Sequence, residues 1–150
     1  MNAALVAFVA FVVLSTFNAG AMTTLQIQHY GIYGSVGRDG FADYMKANNA
    51  AALVPVILPA LSLLAVTAFL VVDRPPFMTT GEATIAFALN VAQLASTVRW
   101  QRRLQGEMAQ AGFDATKVRL LTTTNWIRTW AFLLQAFMAS AMVLRVTIRR

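Results

Sequence analysis

Four predominantly apolar stretches, Ala3–Met22, Ala51–Val72, Ala83–Val98 and Trp126–Leu144, come close to the roughly 17–25 residues a helix needs to cross a hydrocarbon core of about 30 Å. Their polar residues are aligned rather than scattered. In the first, Ser15, Asn18, Met22, Gln26, His29 and Tyr33 recur every three or four residues and so share one helical face. The second aligns Asn48, Ala52, Pro55, Pro59 and Ser62, and the third aligns Ala86, Asn90, Gln93 and Thr97. The fourth aligns Val118, Leu121, Asn125, Arg128, Phe132 and Gln135. A face of amides and hydroxyls cannot look at lipid, because unpaired polar groups in hydrocarbon are costly. The pattern predicts an all-α, integral membrane four-helix bundle with short interfacial helices. Its spans fall at about 3–28, 51–72, 82–98 and 125–145, in a single domain over 1–150.

The connections carry their own signals. Phe41, Tyr44 and Met45 stand at helical spacing opposite Asp43 and Lys46, the pattern of a short helix lying in the membrane interface. Pro55 and Pro59 each remove a backbone donor and predict a bend early in the second span. Asp73-Arg74-Pro75-Pro76 reverses the chain, and Thr79 or Thr80 can cap the helix that follows. Beyond Val98, Trp100, Leu104, Met108 and Ala111 predict that the third helix continues to Gly112, after which Asp114 starts another. The first apolar run lacks a basic start and a small-residue cleavage site, and is read as a retained span rather than a signal peptide.

Composition narrows the function classes. With 58% hydrophobic and 12% charged residues the chain cannot be an ordinary soluble domain, and the lipid bilayer is its first partner. The net charge of +6 sits at span ends, where lipid headgroups are the nearest anions, so no nucleic-acid partner is expected. Arg38, Lys46, Arg99, Arg102, Arg103, Lys117 and Arg119 fall on one side; Arg74, Arg145, Arg149 and Arg150 fall on the other. That bias predicts termini outside and loops inside. The absence of cysteine excludes disulfides and thiolate chemistry. His29, the only histidine, has no carboxylate companions, so no metal site and no cofactor are predicted. A single histidine could still be one axial ligand of a haem or chlorophyll. Asp39, Asp43, Asp73, Glu82, Glu107 and Asp114 all fall in loops or at helix ends, which argues against proton-coupled transport.

At about 1.5 Å rise per residue, Gln26, His29, Asn48, Asn49, Gln93, Thr97, Asn125 and Arg128 share the loop-side half of the bundle. Arg128 carries a permanent charge inside a span with no carboxylate to neutralise it. It either snorkels to the interface or offers an anionic, enolate or quinone-like oxygen a partner. The candidate site therefore has Arg128 and His29, the one ordinary general-base candidate, with Gln26, Tyr30, Asn49, Asn90, Gln93 and Asn125 lining a pocket for a small apolar ligand. The bland alternative for Asn18, Asn90 and Gln135 is hydrogen-bond glue between helices. A second functional reading is an accessory subunit of a larger membrane protein complex, with Phe8, Phe11, Trp130, Leu134 and Phe137 facing lipid or partners. Whether the protein is an enzyme stays open at this point.

Two segments carry a resemblance. Gln26-Ile27-Gln28-His29-Tyr30, followed by Val36-Gly37, Phe41 and Tyr44, and Asn125-Trp126-Ile127-Arg128-Thr129 resemble motifs of small four-span bacterial proteins. That set is similar to the membrane family of unknown function that contains the fungal anthrone oxygenases. The resemblance implies a bacterial inner-membrane location and cofactor-free oxidation of a polycyclic phenol, with His29 taking a proton and Arg128 stabilising the enolate. This chain departs from the family pattern where Asn48-Asn49 replace a histidine after Tyr44, and where Pro59–Leu64 lacks an acidic residue.

Overall fold

The computed structural model describes residues 2–148, and all regular structure within them is helical. Arg149 and Arg150, which entered the charge comparison, lie outside the described residues. Helix α1 (Ala3–Thr24) starts at Asn2, whose side chain accepts from the Ala4 amide at 2.9 Å. It runs on through a π-helical turn, Leu25–His29, and a 3-10 stretch, Tyr30–Ser35. Helix α2 (Phe41–Ala51) follows. A second π-helical turn, Leu53–Ile57, forms around Pro55 and leads into α3 (Leu58–Val72). Thr79 and Glu82 close a reciprocal capping box at the start of α4 (Thr80–Ser96), satisfying two otherwise orphaned backbone donors. A third π-helical turn, Thr97–Gln101, joins α4 to α5 (Arg102–Ala111), which Gly112 ends at a positive φ of 85°. Asp114 Oδ1 accepts from the Thr116 and Lys117 amides and opens α6 (Ala115–Ile148).

Three helical stretches, Ala3–Ser35, Leu53–Val72 and Ala115–Ile148, are long and apolar enough to cross a membrane. In α4 the buried residues Asn90, Gln93 and Ser96 dilute the hydropathy, although its outer positions Ile85, Val91 and Leu94 are exposed and apolar. Helices α1 and α4 each pack against α3 and α6. Phe8, Phe11, Met22, Leu63, Leu70 and Phe132 belong to the main core between them. A second core forms at one end, where α2 lies on α5: Tyr30, Tyr33, Phe41, Met45, Leu104 and Met108 close it.

Several expectations change here. The apolar face of α2 is not on lipid, since Phe41 and Met45 are fully buried and α5 covers that helix. Phe8 and Phe11 are core residues, with the Phe8 ring edge-on to Phe77 at 4.9 Å, whereas Trp130, Leu134 and Phe137 are exposed as expected. On α3 the buried line is Leu63, Thr67 and Leu70, while Pro55 and Ser62 face outward. Past α4 the buried positions are Gln101, Leu104 and Met108, not Trp100 and Ala111. The last two changes share a cause: a π-helical turn holds one extra residue, and one residue is about 100° of helical rotation. The α3 face is shifted by one position, and the five-residue step from Ser96 to Gln101 bridges the third π-helical turn.

Candidate functional site

The two apolar cores are separated by a polar layer. Along α1 the order is Met22, Gln26, Tyr30; along α6 it is Leu121, Asn125, Arg128, Phe132, with the outer members in the cores and the inner ones between. Asn125 is fully buried. Its Nδ2 donates to Gln26 Oε1 at 2.7 Å and lies 3.7 Å from Met22 Sδ, while its Oδ1 accepts from Arg128 Nη1 at 3.1 Å. Gln26 Nε2 in turn donates to the Thr122 carbonyl at 3.2 Å. These bonds fasten α1 to α6 at the height of Arg128. Deeper in the bundle, Asn90 Nδ2 donates to Thr67 Oγ1 and to the Ala86 carbonyl, both at 3.1 Å, so Asn90 joins α4 to α3.

Arg128 is 7% exposed. The ion pairs among the described residues, Lys46–Asp43, Arg103–Glu107, Lys117–Glu107 and Arg145–Glu82, leave it without a carboxylate. Asn125 Oδ1 accepts from its Nη1, and its Nε has no partner. Gln93, 5% exposed, likewise has an unpartnered Nε2. Both side chains line a cleft of about 70 Å³ between α3, α4 and α6, together with Asn90 and Thr97 and an apolar wall that includes Val56, Leu64 and Phe132. Buried donors without acceptors carry a desolvation penalty. An oxygen acceptor that reached either donor would relieve it there, and an anionic one in the cleft would also neutralise the guanidinium.

His29 stands elsewhere. Its half-buried ring lies 5.8, 5.1 and 6.2 Å from those of Tyr30, Tyr33 and Tyr44, and its Nε2 is 3.3 Å from the Tyr33 hydroxyl, which also accepts from Asn48 Nδ2 at 3.3 Å. Its open side borders a depression formed by α1 alone, with Thr24, Ile27 and Gly31. Asn49, near the end of α2, has a buried Oδ1 without a partner. Of the residues singled out from sequence, Arg128, Asn90 and Gln93 therefore line the cleft. Asn125 bonds Arg128 and is itself held by Gln26, Tyr30 belongs to the aromatic cluster with Tyr33, and His29 and Asn49 lie outside the cleft. Among the described residues no group of three or more His, Cys, Asp or Glu side chains gathers as a metal would require.

Sequence reasoning missed Thr67, Ser96 and Gln101. All three are buried, and the last donates from Nε2 to Thr124 Oγ1 at 3.1 Å. For Thr67 and Gln101 the signal was a polar residue one position off the assumed face, legible only once the π-helical turns are known, whereas Ser96 stands three residues after Gln93 on the uninterrupted α4 and was legible from spacing. Comparison with protein-family models, curated proteins and solved structures finds no match to this chain.

Proposed function

We propose that this chain is a four-span membrane protein that binds a small apolar molecule through an anionic or carbonyl oxygen, held by Arg128 and Gln93. The observation that carries the reading is a buried guanidinium without a carboxylate, sharing a cleft with a second unpartnered donor. The fourth crossing is supported by packing. Helix α2 connects α1 to α3 on one side of the membrane, and α5 packs on α2, with Phe41 and Phe113 rings 5.1 Å apart. With the turn after α3 on the opposite side, a crossing by α4 delivers α5 to the α2 end, and the α2–α5 packing supports that reading. The cap end holds Arg38, Lys46, Arg99, Arg102, Arg103, Lys117 and Arg119, against Arg74 and Arg145 among the described residues at the other. This favours termini outside a bacterial inner membrane.

The acid–base pair implied by the resemblance needs His29 and Arg128 to meet one substrate. His29 borders a depression on residues 24–32, whereas Arg128 lines the separate cleft between α3, α4 and α6, so binding, rather than turnover, is the activity proposed. Purified protein should gain thermal stability with a quinone or phenolate ligand. Saturation at a hundredfold excess over Kd corresponds to about 2.7 kcal/mol, and Arg128→Gln should abolish the gain. If no such ligand shifts the melting transition and the protein co-purifies with a stoichiometric set of larger polypeptides, the accessory-subunit reading replaces this one.

A further inference from the structure

The cleft at Arg128 has two properties that together limit its ligand. Its enclosed volume of about 70 Å³ is well below the roughly 300–1,000 Å³ of pockets that engulf a drug-sized molecule. Only a compact head group fits inside. The wall is completed by Ile57, Leu61 and Leu94, which are 41%, 46% and 41% exposed. These residues lie on the outward faces of the α3 and α4 rods, where the surface meets hydrocarbon. The cleft thus opens sideways between α3 and α4, toward the bilayer. Its depth agrees with that opening. Arg128 lies two residues beyond Trp126 on α6, about 3 Å along the axis, and the exposed Trp100 and Trp126 are the residue type that collects at the membrane–water boundary.

Resting on the pocket reading above, we propose that the ligand is a membrane-dissolved anionic amphiphile that enters laterally between α3 and α4. Its carboxylate or phosphate head meets Arg128 and Gln93, and its acyl chain lies outside along Ile57, Leu61 and Leu94. The head is anionic because a neutral carbonyl would satisfy the donors yet leave a permanent cation unneutralised in a nearly dry site. A chain-like body suits the narrow cleft better than a ring, because a quinone or phenolate ring would have to move the wall to bring its oxygen to the guanidinium.

The test uses the intact chain in phosphatidylcholine nanodiscs. Oleate and phosphatidic acid are supplied in the disc; acetate and inorganic phosphate are supplied in the buffer. Thermal unfolding is followed for the wild type, Arg128→Gln, Arg128→Lys and Leu61→Trp, the last narrowing the portal at a lipid-facing position. One or both lipid-borne anions should stabilise the wild type, with oleate against phosphatidic acid identifying the head, while the buffer anions do not. Arg128→Gln should weaken that binding by about tenfold or more, the scale of a lost charge-assisted hydrogen bond. Arg128→Lys should retain part of it, and Leu61→Trp should reduce it without loss of the fold. Stabilisation by acetate or phosphate that requires Arg128 but ignores Leu61→Trp would overturn lateral entry and leave the pocket reading intact. Absence of stabilisation by these anions together with the quinones and phenolates named above would overturn both.

Discussion

Asn125 uses both ends of its amide, donating to Gln26 and accepting from Arg128, which makes it the hinge between structure and binding. Asn125→Ala leaves Gln26 Oε1 without that donor and Arg128 Nη1 without that acceptor, at a fully buried position. The expected loss is about 1–3 kcal/mol, read from reversible unfolding in mixed micelles. Asn125→Asp is the sharper variant. It gives Arg128 a carboxylate at the site of its present 3.1 Å acceptor, so the internal ion pair should displace an external anion. The protein should remain folded while the ligand-induced rise in melting temperature disappears. A variant that still responded fully would mean that Arg128 does not supply the ligand's charge. Arg128 itself was legible from sequence, because a lone cation in an apolar run has few inexpensive places to go. The exclusion of His29 was not, since the break in helical phase at Leu25–His29 leaves no mark in residue spacing.

At the scale of elements, the π-helical turns decide which expectations held. Helix α6 is uninterrupted, and Leu121, Asn125, Arg128, Phe132 and Gln135 all fall on its buried face, as a 3.6-residue period requires. Helix α3 follows a π-helical turn at Pro55, and its expected face is displaced by one residue. The proline was a visible cause, yet the direction of the displacement depends on which carbonyls the chain recaptures: the Val56 and Ile57 amides both donate to the Ala52 carbonyl at 3.1 Å. This phase is checkable. Thr67→Val removes the acceptor of Asn90 and should cost about 1 kcal/mol, whereas Ser62→Ala, on the exposed face, should be near neutral. The opposite ranking in thermal unfolding would restore the face read from sequence. The α5–α6 corner makes a second element-level prediction. Arg103 and Lys117 both bond Glu107 at 2.9 Å and hold its carboxyl below the ordinary value. A lowered folded-state value means the contribution is complete at neutral pH and is lost as pH falls below the usual carboxylate range, through that lowered value. Protection of the α5 amides, taken relative to the intrinsic exchange rate at each pH, should therefore fall at acid pH in the wild type, and Glu107→Gln should flatten that dependence.

For the molecule as a whole, the question that organises everything else is how many rods cross the membrane, because hydropathy and packing weigh α4 differently. Counting only the three strongly apolar stretches, Ala3–Ser35, Leu53–Val72 and Ala115–Ile148, α4 and α5 would stay on the side of the Asp73 turn, and Asp73 and Asp114 would share a compartment. The proposed four-span arrangement does the reverse. Tyr33 and Phe41 precede α3, Leu104 and Met108 follow α4, and all four belong to one buried cluster, which in that arrangement puts Asp114 with α2 and across the membrane from Asp73. The low hydropathy of α4 has a physical source in this arrangement: Asn90, Gln93 and Ser96 face the interior, where they meet Thr67 and the cleft rather than lipid. A transmembrane helix that lines a polar layer is expected to read as weakly apolar. The chain has no cysteine, so single-cysteine variants Asp73→Cys, Lys46→Cys and Arg119→Cys report without background. In sealed inside-out vesicles a membrane-impermeant maleimide should modify positions 46 and 119 and spare 73, and intact spheroplasts should give the complement. Modification of 73 and 119 from the same side would remove α4 from the membrane, separate α2 from α5, and dismantle the cleft on which the binding proposal stands.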